Sequence, residues 1–320
     1  LPWKVRIYLG AYAFGVKISS RPNLTVNRCL FRLFDPKVSP SKKPVEGVIS
    51  SDTTIDATRN LWYRLFTPAV GDNVSLPVIF FFHGGGFAFF GPDSRLYHVL
   101  CMELARNTPA VVVSVNYRLT PENRHLCQCD DGLEALKFID ALKSDKFPSN
   151  ADLGKCFMVG DSAGGNLAHH VTLQASAYEK FNTLKVIGLV AIQPYFGGEE
   201  RTKSETRLVG VPPVSMEITD WFWKAFLPDG SDRDHPMANV FGPNSVDISG
   251  VKFPVALLFV GGLDPLHDWQ VRYYEGLKKS GKQVHLVEYP NAIHAFYAFP
   301  TFPENSLFRK EVKDFIHNQL

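Results

Sequence analysis

The sequence predicts an α/β fold, with a central and mostly parallel sheet covered by helices on both faces. From about residue 60 onward, short β-rich runs alternate with longer helical patterns, which is the element order of such folds. Several of the runs are almost continuously apolar, as expected for central strands that are buried on both faces. The predicted strands are Leu61–Phe66, Val78–Phe82, Val111–Val115, Cys156–Val159, Val186–Ile192, Val255–Val260 and Val284–Glu288.

Helical patterns fill the intervals between these strands. The predicted helices lie near 94–107, 130–143, 163–180, 267–280 and 305–319. Internal repeats, low-complexity segments and Pro/Gly-rich linkers are absent from the sequence. We therefore expect residues 1–320 to form a single domain, although the length alone also allows two.

Two regions interrupt the alternation. Residues 1–59 precede the strand pattern and contain an apolar stretch, Ile7–Val16, which we interpret as a packed helix, a signal segment being the alternative. Residues 197–250 form a long insertion with an aromatic helical piece at Ile218–Leu227. Because such aromatic density disfavours disorder, we expect residues 1–59 and part of the insertion to form a lid.

The composition excludes several classes of function. The chain has 34 basic and 32 acidic residues, so a formal net charge of +2 does not call for nucleic acid, an anionic membrane or a highly charged substrate. The longest weakly polar stretch, Leu76–Gly91, contains a histidine and four glycines and is too short to span a membrane. We expect a cytoplasmic protein without a membrane span.

The cysteines and histidines indicate neither a disulfide framework nor a metal site. The five cysteines are odd in number and sparse for a chain of this length. Cys127 and Cys129 are separated by one residue, with no second pair of ligands at metal-binding spacing, and we interpret them as reduced packing residues. The sequence predicts no metal and no cofactor.

The segment Gly160–Gly164 matches the pattern G-x-S-x-G. It follows a predicted strand and opens a predicted helix, the context that a nucleophile elbow requires. The glycines permit a tight turn that presents Ser162 Oγ at the carboxyl edge of the sheet. The alternative is an ordinary Gly/Ser helix start.

The segment His83–Gly86 directly follows another predicted strand. H-G-G-G loops supply oxyanion-binding amides in esterases and lipases, because backbone without side chains can approach a carbonyl closely. We expect the amides of Gly85, Gly86 and Ala163 to face a developing oxyanion. A phosphate-binding loop is disfavoured, since the sequence has neither a P-loop lysine nor a dinucleotide-binding glycine pattern.

A serine nucleophile needs a base and an orienting acid. Asp264 follows the predicted strand Val255–Val260, and His294 follows the last predicted strand, so both fall at the carboxyl edge in the chain order that this architecture uses. Asp268 is the rival acid, but it lies one turn into a predicted helix, where it would serve as a first-turn charge.

Together these motifs resemble the hormone-sensitive-lipase-like branch of the α/β-hydrolases. Asn116–Leu119, Pro194–Thr202 and Asp234–Asn244 further resemble the plant carboxylesterases, a group that also contains the gibberellin receptors. The resemblance implies a serine-hydrolase fold with an N-terminal lid, and it assigns a triad and an oxyanion hole. The implied triad is Ser162, Asp264 and His294, and the implied oxyanion donors are Gly85, Gly86 and Ala163.

One segment departs from the family pattern. The family pattern has a second proline before an acidic pair. The segment Thr120–Asp131 keeps the acidic pair and its first proline, Pro121, but lacks the second proline. This change leaves the triad intact and alters a loop near the next helix, so it bears on the shape of the pocket.

The predicted activity is that of a serine carboxylesterase, which hydrolyses short- to medium-chain esters of hydrophobic alcohols through an acyl-enzyme. The chain is rich in aromatic residues, with 25 Phe, 11 Tyr and 5 Trp. Many of them flank His294 and the predicted oxyanion loop, His83–Gly86. The candidate pocket residues are Phe87, Tyr195, Trp221 and Phe296. The expected partner is a hydrophobic small-molecule ester, and the oligomeric state stays open.

Two alternatives remain on the same scaffold. One is a small-molecule receptor. The resemblance implies that gibberellin receptors carry an aliphatic residue at the triad histidine position, so His294 argues against this reading. The other is a lyase or cyclase of plant secondary metabolism that reuses the pocket, against which the complete set of catalytic motifs argues.

Overall fold

An eight-stranded sheet runs through the molecule in the order β1-β2-β4-β3-β5-β6-β7-β8. The structure, a computed structural model, describes residues 1–71, 74–142 and 146–320. β1 and β2 are antiparallel to their neighbours, and the strands from β4 to β8 are parallel. The strands are β1 Val48–Asp56, β2 Leu61–Pro68, β3 Leu76–Phe82, β4 Val111–Asn116, β5 Ala151–Asp161, β6 Val186–Ile192, β7 Val255–Gly261 and β8 Val284–Tyr289.

Helices cover both faces of this sheet. Each face has its own apolar core, and the seven residues of β3 are all buried because they contribute to both. α3 and α9 contribute to one core, and α4, α5 and α8 contribute to the other. The helices are α1 Trp3–Ser19, α2 Arg28–Phe31, α3 Arg95–Asn107, α4 Cys127–Asp140, α5 Ala163–Ala177, α6 Lys203–Arg207, α7 Met216–Phe226, α8 His267–Lys279 and α9 Pro303–Asn318.

The predicted fold class is confirmed. All seven predicted strands are present, and the predicted helices occur with ends that differ by a few residues. The helix predicted for 130–143 spans Cys127–Asp140, and residue 143 lies outside the described residues. The aromatic piece predicted at Ile218–Leu227 is α7.

β1 was not predicted, although it lies within the segment 1–59. Its sequence, VISSDTTID, is mostly polar and has no continuous apolar run, because β1 is an edge strand whose neighbour in the sheet is β2. Pairing with β2 therefore defines β1 where hydrophobicity does not.

The segment before β1 packs over the carboxyl edge of the sheet. Val5 and Leu9, on the inner face of α1, contact Ile293 in the loop after β8. Tyr12 stacks on Phe90 in the loop after β3, with ring centroids 5.4 Å apart. α1 therefore lies across two of the loops that carry predicted site residues.

The insertion joins this covering layer. Trp221, in α7, donates its indole N–H to the carbonyl oxygen of Arg21 at 2.8 Å. Arg28, also in the N-terminal segment, contacts the main body of the fold instead. Its guanidinium donates to the carbonyl oxygens of Ala88 and Thr120. The N-terminal segment is thereby bound both to the insertion and to the body of the fold.

All five cysteines are unpaired in the structure, and Cys101, Cys129 and Cys156 are buried. Cys29 is exposed and Cys127 is half-buried, so packing accounts for three of the five. No helix within residues 1–71, 74–142 and 146–320 combines the length and the hydrophobicity that crossing a bilayer requires.

Buried histidines should make the stability of the fold depend on pH. Burial lowers the pKa of His83 to about 4 and that of His169 to about 3, whereas an unfolded histidine titrates near ~6.5. Because the unfolded chain takes up these protons first, the free energy of unfolding should fall as the pH drops from about 6.5 to about 4.

Replacing His169 should flatten this dependence. Between pH 7 and pH 5 the free energy of unfolding should fall less in His169→Asn than in wild type. The difference should be up to ~1.4 kcal/mol for each pH unit below the pKa of an unfolded histidine, and urea unfolding at the two pH values measures it. His169→Asn retains an acceptor for the Tyr273 hydroxyl, which lies 2.9 Å from Nδ1 of His169. His317→Asn, at an exposed position in α9, is the control. An unchanged slope in His169→Asn would contradict the assignment.

Candidate active site

Ser162 occupies a tight turn between β5 and α5, with φ of 51° and ψ of −120°. A positive φ is strained for a residue other than glycine, so the surrounding structure must hold it in place. A Cβ at Gly160 would lie 2.1 Å from the carbonyl oxygen of Gly164, and a Cβ at Gly164 would lie 1.9 Å from that of Phe82. Only glycine fits at these two positions, and Ser162 stays partly exposed between buried neighbours.

The loop after β3 presents backbone amides at the same edge. Gly85 and Gly86 have φ of 104° and 61°, in the left-handed region that favours glycine. Among the described residues, the amides of these two glycines have no acceptor. Ala163 begins α5, and a first-turn amide has no acceptor within its own helix. Within the described part of the chain, the amides of the three predicted donors therefore have no acceptor of their own.

Asp161, which precedes Ser162, ties the oxyanion loop to the nucleophile turn. Its Oδ1 accepts the N–H of Gly84 at 2.9 Å. Its Oδ2 accepts the hydroxyls of Tyr97 at 2.9 Å and Tyr297 at 2.5 Å. Burial raises the pKa of Asp161 to about 6, because the three donated hydrogen bonds offset only part of the cost of burying the charge.

His294 and Asp264 form a buried pair. Nδ1 of His294 lies 2.7 Å from Oδ2 of Asp264, and the two residues are 5% and 0% exposed. Asp264 also accepts the N–H of Leu266 at 2.9 Å and the Nε2–H of Gln270 at 2.9 Å. With Nδ1 bound to the carboxylate, Nε2 of His294 is the nitrogen left to accept a proton.

Gln193, directly after β6, holds this pair from the side. Its Nε2 donates to Oδ2 of Asp264 and to the carbonyl oxygen of Ile293, both at 3.1 Å. Its Oε1 accepts the N–H of Ala295 at 2.8 Å. Gln193 is fully buried and has a strained φ of 43°. One amide thus binds the acid and both neighbours of His294.

A backbone hydrogen bond ties the turn at Ser162 to the end of β6, beside Gln193. The N–H of Ser162 donates to the carbonyl oxygen of Ile192 at 2.9 Å, one residue before Gln193. In the described part of the chain, Ser162 Oγ makes no hydrogen bond within 3.5 Å, so the structure joins His294 to Asp264 but not to Ser162. Such contacts frequently form only when substrate binds.

Asp268, the rival acid, has other partners. Its Oδ2 accepts the N–H of Ser204 at 2.9 Å, and its Oδ1 lies 3.0 Å from Nδ1 of His267. Asp268 therefore fastens α6 to α8, and the structure favours Asp264 as the partner of His294.

The predicted N-Y-R-L segment supports the oxyanion loop from behind. Tyr117 stacks on His83 with ring centroids 4.3 Å apart, and its hydroxyl donates to the carbonyl oxygen of His83 at 2.6 Å. Arg118 forms an ion pair at 2.8 Å with Asp131, which is fully buried in α4. Tyr117 therefore stabilises the loop after β3, and Arg118 stabilises the connection between β4 and α4.

A family model described as the α/β-hydrolase fold matches residues 79–298, which include the nucleophile turn, Asp264 and His294. The chain belongs to the α/β-hydrolase fold family.

The relatives of this chain include both receptors and esterases. The chain is 41% identical over 318 residues to gibberellin receptor GID1A of Arabidopsis thaliana. The match covers 94% of this chain and 90% of the receptor. It is 36% identical over 286 residues to carboxylesterase 20 of Arabidopsis thaliana, covering 85% and 86%. An esterase structure from Pyrobaculum calidifontis matches with a TM-score of 0.73 and 27% identity, covering 97% and 90%. The predicted resemblance is confirmed.

Two of the predicted pocket residues lie beside the turn at Ser162. Phe87 follows the oxyanion glycines and stacks on Phe226 at 3.9 Å. Tyr195 stacks on Trp223 at 4.2 Å, and its N–H donates to the carbonyl oxygen of Ser162 at 2.8 Å. Both are almost fully buried, so they brace the site in this structure.

The other two predicted pocket residues have different positions. Trp221 is half-buried and binds Arg21 in the N-terminal segment, as described above. Phe296 is fully buried in the core on the α3/α9 face of the sheet. Phe222 was not singled out from the sequence, yet its ring lies so close to Gly86 that a Cβ there would be 2.3 Å away.

Gln193→Leu should lower turnover with little change in KM. Leucine is similar in size but leaves the Ile293 carbonyl and the Ala295 amide unpaired, so His294 keeps its bond to Asp264 but loses the support of both its neighbours. A displacement of about 1 Å at a catalytic group can cost about 10²-fold in rate. We expect a fall of that order in kcat for p-nitrophenyl acetate.

The control for this test is Gln283→Leu, at an exposed position before β8. Equal thermal melting of both variants would separate a positioning effect from unfolding. Wild-type kcat in a folded Gln193→Leu protein would show that the amide does not position His294.

Proposed function

We propose that this chain is a carboxylic-ester hydrolase that works through an acyl-enzyme. The observation that carries the proposal is the 2.7 Å bond between His294 Nδ1 and the buried Asp264, at the edge where Ser162 stands in its strained turn. A histidine with one nitrogen held by a buried carboxylate and the other free is the arrangement that activates a serine.

The proposed reaction has two stages. Ser162 Oγ attacks the acyl carbonyl carbon while Nε2 of His294 takes the hydroxyl proton, and Asp264 stabilises the resulting imidazolium. The amides of Gly85, Gly86 and Ala163 bind the oxyanion. The alcohol leaves with the proton from His294, and water, deprotonated by the same nitrogen, then releases the acid.

The proposed substrates are short- to medium-chain esters of hydrophobic alcohols. Aromatic residues crowd the loops at this edge, among them Phe87, Tyr195 and Phe222. Apolar and aromatic walls favour uncharged, hydrophobic ligands. The five unpaired cysteines are consistent with a reducing compartment, and a cytoplasmic location forms part of the proposal.

A receptor for a small molecule is the second candidate, because gibberellin receptors are 34–41% identical to this chain. Calorimetry of gibberellin binding, together with an assay of ester turnover, distinguishes the two functions. Tight binding of a gibberellin without turnover of any ester would favour the receptor, whereas turnover dependent on Ser162 favours the esterase. Product analysis would separate hydrolysis, which adds water, from the elimination or cyclisation that a lyase performs.

Removing the nucleophile should abolish turnover. Ser162→Ala should lower kcat for p-nitrophenyl butyrate by at least about 10⁴-fold, since a triad without its nucleophile retains only what binding and the oxyanion hole supply. Asp264→Asn should lower kcat by a comparable ~10⁴-fold. Asp268→Asn is the matched control, because Asp268 binds Ser204 and His267 and should leave kcat close to the wild-type value. Full turnover by Ser162→Ala would overturn the mechanism.

The substrate range can be tested with a series of p-nitrophenyl esters from acetate to decanoate. We expect kcat/KM to peak at short to medium chains and to fall for the longest, because the aromatic rings limit the space beside Gly86. Phe222→Ala should move the optimum towards longer chains, whereas Phe241→Ala, whose ring packs against Gly276 of α8 instead, should not. A flat profile in wild type would contradict an aromatic-walled acyl site.

A further inference from the structure

The lid helix α1 has an apolar stripe on each of two opposite faces. The inner stripe, which includes Val5, Leu9 and Val16, is buried against the fold. The outer stripe consists of Trp3, Ile7, Phe14 and Ile18, which are 68%, 62%, 57% and 37% exposed. A surface helix of a soluble protein ordinarily presents polar residues on its outer face, so the outer stripe requires an explanation.

The outer stripe is narrow and consists of two apolar pairs, one near each end of the helix. Successive residues of an α-helix are rotated by about 100°, so the four side chains fall within about 60° of one another around the axis. The helix has 17 residues and is therefore about 25 Å long. The outer stripe extends along nearly all of this length.

Basic residues flank the outer stripe on both sides. By the same rotation, Lys4 lies about 40° beyond one border, and Arg6 and Lys17 lie about 40–60° beyond the other. All three are exposed. In the described residues, none of them has a carboxylate oxygen within 4.0 Å, whereas Arg28 of α2 is paired with Glu122.

The whole N-terminal segment shares this charge. Residues 1–34 contain six lysines and arginines and no acidic residue, although the net charge of the chain is only +2. The near-neutral total therefore conceals a strongly basic segment. An apolar stripe with aromatic residues, bordered by Lys and Arg, is the pattern of a helix that lies in the interface of an anionic membrane.

We propose that the outer stripe of α1 docks on an anionic lipid surface. Trp3, Ile7, Phe14 and Ile18 would enter the boundary between headgroups and acyl chains, and the flanking cations would extend to the lipid phosphates. The chain would lie on the membrane without crossing it. The proposal does not depend on ester hydrolysis, because docking is measured in the absence of substrate.

The test is co-sedimentation of the full chain with lipid vesicles. We expect binding to vesicles of phosphatidylcholine with about a third phosphatidylglycerol, weak binding to pure phosphatidylcholine, and release by about 0.5 M NaCl. A basic residue near an anionic surface strengthens binding by about five-fold, so Lys4→Gln with Lys17→Gln should weaken it by roughly 25-fold.

Apolar contact is tested separately. Ile7→Ser should weaken binding to the anionic vesicles, whereas Leu307→Ser, an exposed leucine of α9, should not. Brominated lipids should quench the fluorescence of bound wild type, and Trp3→Phe should lose most of that quenching while it still binds. Thermal melting confirms that each variant is folded, as expected for changes at exposed positions.

Three outcomes would overturn the proposal. The first is the absence of sedimentation with either vesicle, which would leave a protein segment as the occupant of the stripe. The second is binding that is indifferent to the lysine substitutions. The third is a dimer, detected by light scattering and abolished by Ile7→Ser, which would mean that a second copy covers the stripe.

Discussion

The strand-to-helix turn at Ser162 rests on a close approach between two pieces of backbone. Gly164 lies against the end of β3, where the carbonyl oxygen of Phe82 leaves no room for a side chain. This contact brings the first turn of α5 and the start of the oxyanion loop together. Because the loop at Gly85 and the amide of Ala163 come from these two elements, the relative position of the predicted oxyanion donors depends on this contact.

Buried polar side chains then fix the loops relative to one another. Asp161 binds the predicted oxyanion loop through Gly84, and it binds the segment that follows His294 through the hydroxyl of Tyr297. Gln193 binds the residues on either side of His294. Each of these groups is buried and hydrogen-bonded, so loss of one partner leaves others unsatisfied and the loops lose their alignment.

The N-terminal segment adds a layer that faces two ways. Its inner apolar residues pack on Ile293, beside His294, and so fasten this segment to the carboxyl edge of the sheet. Its outer stripe and basic flanks face away from the fold. A helix with two apolar faces holds the N-terminal segment on the fold with one face and presents the other face outward.

The sequence by itself determined the order of elements, the tight turn at Ser162, the glycine loop at Gly85 and Gly86, and the pairing of Asp264 with His294. These features are local, or they follow from the rule that the carboxyl ends of parallel strands share one edge. Only the tertiary structure decided the roles of Asp161 and Gln193, the core position of Phe296, and the pairing of the polar strand β1. Their partners are distant in the chain, and no local pattern encodes such contacts. A polar residue directly after a buried strand was the one available signal, and it marks Gln193 as a candidate without naming its partners.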